Sequence, residues 1–302
     1  MTPLFSVIIP TYNRSKDLER CLASLNEQTF TDFEVVVCDD GSTDESNRVT
    51  ERFKSLLRIK YLWNDNWGGP ARPRNNGIYA ASGQWICFLD SDDWWYPEKL
   101  EMTRRYIDDF DFIYHSLDEY SNGKKSQKLL RKLGKNVFLD LLVNGNMIPN
   151  SSVAVRKAIV ERIGCISEDK ELIAIEDYDF WLRISKVTNK FYEIGKPLGA
   201  YWVGESGTNI SFDAPEKLLQ REYRILAKFK EEIPVDLQKK KEMLIHKNVA
   251  WHYRRLKHFR SASKYYRSAL FKINPFSNKC LSIRVKLLTN YLLYGFKGLT
   301  DK

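Results

Sequence analysis

Three carboxylates fall within four residues at Asp90-Ser91-Asp92-Asp93, directly after the apolar run Ile86-Cys87-Phe88-Leu89. Negative charges packed this closely repel one another strongly unless a cation sits among them. Mg²⁺ or Mn²⁺ suits such oxygen donors, because these hard ions take one or two carboxylates and complete their shell with water and substrate phosphates. The cluster therefore points to a divalent metal and a diphosphate-bearing ligand. The competing reading is a solvated acidic turn in which Asp93 helps to cap the helix that Pro97 opens; of the three carboxylates Asp93 is expected to brace the loop or cap that helix and not to touch metal.

Three further groups could do chemistry. Asp39-Asp40-Gly41-Ser42 ends another apolar run; a carboxylate there can accept a hydrogen bond from a base N–H or a ribose hydroxyl, although Asp and Gly are also ordinary turn residues. Arg72 and Arg74 flank Pro73 in a loop containing Gly68 and Gly69, where backbone can approach phosphates and a guanidinium can bridge two oxygens. Asp177, Trp181 and Ile184 recur at i, i+4 and i+7, so they share one helical face. A carboxylate leading an apolar stripe is partly desolvated, which raises its pKa and improves it as a general base. The alternative is a first-turn acid that complements the helix dipole, as Glu176 and Asp179 could also do.

The elements that position these groups alternate strand and helix, the pattern of an α/β sheet with helices on its faces. Strands are expected at Leu4–Ile9, Phe33–Cys38, Ile59–Trp63 and Trp85–Leu89. Helices are expected after Ser15, which is placed as an N-cap, from Asp44, around Asn75–Ala81, from Pro97 toward Ile107, and from Glu176 to Val187. Thr11-Tyr12-Asn13-Arg14, Asp39-Asp40 and Asp90–Asp93 each follow a strand's C-terminal end, the edge where open α/β sheets bind ligands. From Ser116 to Lys135 the chain turns polar and loop-like, and Gly199–Thr208 reads as a strand leaving into a loop. Beyond Asp213 the sequence becomes almost purely helical.

The net charge of +9 is unevenly spread: residues 1–212 hold 27 Lys and Arg against 31 Asp and Glu, whereas residues 213–302 hold 21 against 8. Two domains are expected, at 1–212 and 213–302, the second basic and amphipathic through Leu281, Val285, Leu288 and Leu292 with Lys279, Arg284 and Lys286 interleaved. Such a tail suits either packing on the first domain or docking to anionic lipid at the inner face of a cytoplasmic membrane. No nucleic-acid-binding motif accompanies the charge, so nucleic acid is not an expected partner. Cys21, Cys38, Cys87, Cys165 and Cys280 lack paired spacing and read as thiols of a reducing compartment. Neither a signal-peptide core nor a stretch of about 20 apolar residues is present, so a cytoplasmic location is expected.

Taken together the motifs resemble glycosyltransferase family 2, inverting transferases of bacterial polysaccharide-biosynthesis type. The likeness runs from about Phe5 to Ser211 and includes Val7–Arg14, Asp39–Asp44, Arg74–Ile78, Phe88–Asp93 and Glu176–Arg183. It implies a GT-A fold, a Rossmann-like mixed sheet flanked by helices, with a C-terminal helical extension. It also implies a nucleotide-sugar donor, UDP-hexose by family frequency, held by Pro10, Thr11, Tyr12, Asn13, Arg14, Asp39, Asp40, Arg74, Asp90 and Ser91. Asp92 would be the principal ligand of Mn²⁺ or Mg²⁺, Asp177 the catalytic base and Glu176 its acceptor-side neighbour. The reaction implied moves a hexose or N-acetylhexosamine to a hydroxyl of a saccharide or lipid-diphosphate-linked saccharide, as in O-antigen or capsule synthesis.

One departure bears on the metal: many relatives carry a histidine just after the strand matched by Gly199–Val203, and this chain has Gly204-Glu205-Ser206. Glu205 either substitutes for it or the third contact is absent. Other classes fit less well. A nucleotidyltransferase would begin with a glycine-rich phosphate loop, which Pro10-Thr11-Tyr12-Asn13 is not. A haloacid-dehalogenase-like phosphatase needs a small turn where Trp94-Trp95 stands. A non-enzymatic binding module would keep the fold without the base.

Overall fold

The computed structural model describes residues 2–121, 124–127, 130–202, 214–272 and 281–300. The chain divides into two compact units, Met1–Phe138 with Asn146–Asn209, and Leu139–Gly145 with Ile210–Lys302.

The first unit is built on one mixed sheet. Strands β1 (Phe5–Thr11), β2 (Phe33–Asp39), β3 (Ile59–Trp63) and β4 (Trp85–Phe88) are mutually parallel in the order β3-β2-β1-β4. Every residue of β1, β2 and β4 is buried. That is why these strands read as unbroken apolar runs: a parallel sheet is covered on both faces. The sheet continues through β8 (Ala154–Arg156), antiparallel to β4, then β6 (Phe112–Ser121), β9 (Phe191–Trp202) and the two-residue β5 (Trp94–Trp95). β7 (Lys124–Gln127) pairs with β6.

Helix α1 (Ser15–Asn26) buries Leu18, Cys21, Leu22 and Leu25 in the core formed with Val7, Ile9, Val35 and Val37. On the opposite face, α3 (Ala71–Ala80) approaches the sheet so closely that a Cβ on Gly77 would lie 2.5 Å from Ile8 Cγ2 and 2.7 Å from Cys38 Sγ. Gly77 therefore sets how near α3 lies to β1 and β2. Phe88 packs edge-on against Phe180 of α7 (Glu176–Ser185), with ring centroids 6.3 Å apart, and contacts Trp181 at 5.8 Å. The remaining helices of this unit are α2 (Ser46–Phe53), α4 (Lys99–Arg104) and α6 (Lys157–Ile163). α5 (Val137–Asn144) crosses the division between the units.

The second unit contains α8 (Pro215–Lys228), α9 (Val235–Arg255), α10 (Phe259–Phe271) and α11 (Leu281–Thr300). Met243, Val249, Ala250, Tyr253, Ala262 and Leu287 belong to its core. The buried ammonium of Lys241 is neutralised by Glu222 at 2.7 Å.

Several local expectations change. Ser15 is the first helical residue and not the N-cap; Arg14 holds that place, and the Ser15 N–H is satisfied from outside by Asp44 at 2.8 Å. Arg72 and Arg74 lie on α3, not in a loop, because the helix begins four residues earlier than expected, at Ala71. The polar stretch at Ser116–Lys135 carries the end of β6 and the whole of β7, which pair with each other; β6 is held as a strand chiefly by β9, which is remote in sequence and leaves no local signal. The strand placed at Gly199 begins at Phe191. Gly204, Glu205 and Ser206 lie outside the described residues, as does Cys280. Cys21, Cys38 and Cys87 are buried free thiols, and Cys165 is half-buried.

Candidate active site

The C-terminal edges of β1, β2 and β4 carry the expected residues. Pro10 and Thr11 close β1 opposite Cys38 and Asp39 of β2. Tyr12 is exposed, and Asn13 takes a positive φ of 50°, a conformation that Asn tolerates better than most residues. Its carboxamide oxygen accepts from Thr43 N at 2.8 Å, and its own N–H donates to Ser42 Oγ at 2.8 Å. The loops after β1 and β2 are thereby locked together.

Asp39 is completely buried, and both its oxygens are engaged, one by Ser42 N at 2.7 Å and one by the Tyr61 hydroxyl at 2.6 Å. Asp39 thus braces the loop from beneath. Asp40 accepts from Trp67 N at 2.9 Å and Gly68 N at 3.1 Å, so it gathers the 66–68 segment over the end of β2. Gly41 makes this possible, since its φ is +87° and a Cβ would meet Asn66 N at 2.8 Å. Beside them the Thr11 hydroxyl is buried without a hydrogen-bond partner within the protein, so its bonding capacity is left over for a ligand's polar group.

Around β4 the residues form two sets of ion pairs, one on Arg74 and one on Arg14. Arg74, almost fully buried on α3, donates from Nη1 to Glu176 Oε1 at 2.6 Å and from Nη2 to Asp90 Oδ1 at 2.7 Å. Asp90 also accepts from Asn150 Nδ2 at 2.9 Å. Asp92 pairs with Arg14 Nη1 at 2.7 Å, and its backbone carbonyl accepts from Arg20 Nη2 at 2.6 Å. Burial first, and then repulsion from Asp90, raise the Asp92 pKa, while Arg14 lowers it. Ser91 is buried between the two carboxylates.

Asp93 is the clear exception in its cluster. Burial and the neighbouring Asp92 and Asp90 hold its pKa well above the ordinary carboxylate range, and the Ser151 hydroxyl donates to it. It does not cap α4. Of the two roles expected from sequence, bracing the loop and capping the next helix, the hydrogen bond from Ser151 fits the first, anchoring the segment before β8.

Asp177 stands in the first turn of α7, half-buried beside Glu176. Desolvation and repulsion from Glu176 raise its pKa to about 7, against the opposing field of Arg74. A general base is most effective with its pKa near the working pH. Trp181 and Ile184, on the same face of the helix, are fully buried.

Sequence reasoning missed the residues that hold these carboxylates in place. Asn146 donates to Asp177 Oδ2 at 3.4 Å while its own carboxamide oxygen accepts from Ile148 N at 3.0 Å, which fixes which way the amide faces. Asn150 grips Asp90, and Ser151 Oγ accepts from Asp90 N at 3.0 Å. Only the antiparallel pairing of β8 with β4 brings this segment to the site, so its polar composition alone gave no pointer. Replacing Asn146 by Ala removes a donor that favours the ionised form of Asp177. The acid limb of the kcat/KM profile is expected to move up by about 0.5–1 pH unit, with the high-pH plateau retained.

Among the described residues, no three His, Cys, Asp or Glu side chains form a ready metal cage. The donor set fits a metal held by one carboxylate together with a substrate's phosphates: the Asp92 and Asp90 side chains are 24% and 30% exposed, and each meets an arginine through one oxygen.

A family model described as Glycosyl transferase family 2 matches residues 6–165. The amylovoran biosynthesis glycosyltransferase AmsB of Erwinia amylovora is 30% identical over 211 residues, covering 65% of this chain and 69% of that protein. The Escherichia coli UDP-Glc:alpha-D-GlcNAc-diphosphoundecaprenol beta-1,3-glucosyltransferase WfgD is 31% identical over 192 residues, covering 62% and 71%. Longer relatives from Rickettsia are spanned over about a third of their length. Among solved structures, Staphylococcus aureus TarS 1-349 in complex with UDP-GlcNAc superposes with a TM-score of 0.62 at 21% identity, covering 99% of this chain and 92% of that one. The mannosyltransferase PcManGT from Pyrobaculum calidifontis, in complex with GDP-Man and Mn²⁺, gives 0.63 at 15% identity, covering 100% and 88%. At these identities the two structures speak for the fold.

Proposed function

The chain belongs to glycosyl transferase family 2 and has the GT-A fold, and from that premise we propose that it is a metal-dependent, inverting hexosyltransferase using a UDP-sugar donor. The observation that carries the reading is the buried Arg74 fork, which ties Asp90 at the β4 edge to Glu176 next to the half-buried Asp177. Leaving-group and attacker-side carboxylates thus belong to one ion network.

In this reading residues 1–212 form the catalytic domain and 213–302 the basic helical region. Thr11 and Asp40 take the nucleotide base, and Pro10, Tyr12, Asn13 and Ser91 shape the walls around it. Arg14 and Arg74 hold the diphosphate end, with Asp90 toward the ribose. Asp92 would hold Mn²⁺ or Mg²⁺, which would neutralise charge on the departing diphosphate. Asp177 removes the proton from an acceptor hydroxyl that attacks the anomeric carbon from the face opposite the leaving group, inverting its configuration. Glu176, whose Oε2 is buried without a partner, is placed to accept from a sugar hydroxyl.

WfgD is named for a glucosyl transfer to a diphosphoundecaprenol-linked sugar and TarS is solved with UDP-GlcNAc, which favours a hexose or N-acetylhexosamine donor and a lipid-diphosphate-linked acceptor in surface-polysaccharide synthesis. Such an acceptor puts the protein at the cytoplasmic face of a membrane. No helix among the described residues is long and apolar enough to cross one.

Calorimetry with UDP in the presence and absence of Mn²⁺, followed by a donor-hydrolysis panel, tests the reading. The expected outcome is UDP binding that Mn²⁺ strengthens, a loss of that strengthening in Asp92→Ala, and slow hydrolysis of one UDP-sugar. UDP binding with every donor inert would identify a binding module instead.

A further inference from the structure

Helix α11 has two apolar faces. One, built on Leu287 and Tyr294, packs into the core of the helical unit. The other is bare: Val285, Leu288, Leu292 and Phe296 recur every three or four residues and are 56%, 44%, 49% and 71% exposed. With Ile283 and Leu293, this one helix holds six of the fifteen exposed large hydrophobic side chains among the described residues, which is clustering and not scatter.

The charge around this face has a single sign. α11 contains Arg284, Lys286 and Lys297 and no acidic residue, and residues 213–302 carry 21 Lys and Arg against 8 Asp and Glu. Beside the helix lies an open cavity of about 690 Å³ lined by Arg254 of α9 and by Ser282, Val285, Lys286, Thr289 and Asn290 of α11. Arg254 and Lys286 bring two cations to a largely apolar cavity with no carboxylate, which suits the charged oxygens of a phosphate ester whose chains continue into apolar surroundings.

We propose that this face of α11 docks on an anionic phospholipid bilayer, with Val285, Leu288, Leu292 and Phe296 entering the acyl boundary and the Arg254–Lys286 cavity receiving a phosphate head group. A helix lying in the interface needs an apolar face flanked by basic side chains. The alternative occupant, a second copy of the chain, fits poorly. Two-fold packing sets the same patch against itself, which would crowd the Lys286 and Lys297 side chains of both copies with no acid on the helix to offset them. The inference rests on the transferase reading only for its purpose, bringing the protein to a lipid-linked acceptor; the binding itself is measured without catalysis.

The test is flotation of the full chain with vesicles of phosphatidylglycerol and phosphatidylcholine, compared with vesicles of phosphatidylcholine alone. The wild type is expected to float with the anionic vesicles and not the neutral ones. Leu288→Glu/Leu292→Glu should abolish flotation, and Arg254→Gln/Lys286→Gln should weaken partitioning about thirtyfold, given the attraction of each basic side chain to an anionic surface. Circular dichroism and unchanged donor hydrolysis would show that both variants remain folded. Absence of wild-type flotation, or variants that float as well as the wild type, overturns the proposal. So does size-exclusion chromatography in which the wild type self-associates and Leu288→Glu/Leu292→Glu becomes monomeric. Flotation by a protein that hydrolyses no donor would leave this proposal standing while the transferase reading falls.

Discussion

Asp177→Asn is expected to lower the turnover of sugar transfer by about 10²–10⁴, the usual contribution of a positioned general base. The amide keeps the shape of the carboxyl group but cannot take a proton. UDP binding should be nearly unchanged, because in the proposed arrangement Asp177 faces the attacking hydroxyl and not the nucleotide. The wild-type rate should rise with pH through a limb near 7, the pKa set by desolvation and by Glu176, and the residual rate of the variant should lose that limb. Stability should move the other way. A carboxyl whose folded pKa lies above its unfolded value favours the fold at low pH, and that contribution is lost as pH rises through about 7. Removing the titration therefore makes the variant at least as stable as the wild type at pH 8. Near-normal transfer by Asp177→Asn would move the base elsewhere.

The second large effect is expected at Arg74. Arg74→Met keeps much of the aliphatic stem but removes the one positive charge that Asp90 and Glu176 share. Removing one partner from a buried ion network usually costs about 3–5 kcal/mol, since the remaining charges are uncompensated. Urea unfolding at pH 7 should show a loss of that size. Arg74→Met/Glu176→Gln should recover a large part of the stability and none of the donor hydrolysis. If Arg74→Met unfolds like the wild type, the fork contributes nothing to the fold and the network is not closed as described.

The parallel half of the sheet was legible in the sequence because burial on both faces writes itself as uninterrupted runs: Val7-Ile8-Ile9, Val35-Val36-Val37 and Ile86-Cys87-Phe88 need no tertiary context. The polar groups at their C-terminal ends followed from topology alone. The antiparallel half was not legible. β6 reads Tyr-His-Ser-Leu-Asp-Glu-Tyr-Ser along much of its length and is a strand because β9 and β8 flank it, and two-residue β5 exists only through its pairing with β9. The same reason hid Asn146, Asn150 and Ser151, whose role depends on β8 running back along β4. Sequence could set Asp93 apart from its neighbours as a brace or a cap, but only the fold supplies the Ser151 hydroxyl that it anchors. Nor could it show that Asp39 is buried under its loop by Ser42 and Tyr61, since Tyr61 arrives from the neighbouring strand.

Arg74 has one consequence for how such a protein can change over time. Its two arms end on carboxylates 16 and 102 positions away in the chain, carried by separate elements. Loss of Arg74 strands two carboxylates, and loss of either carboxylate leaves a buried guanidinium arm without its acceptor, so each position is held by the other two. Paired replacements are the passable route, while loops that choose the acceptor can drift one residue at a time. The chemistry is inherited as a block, and new specificities can be tried around it without reopening how the bond is broken.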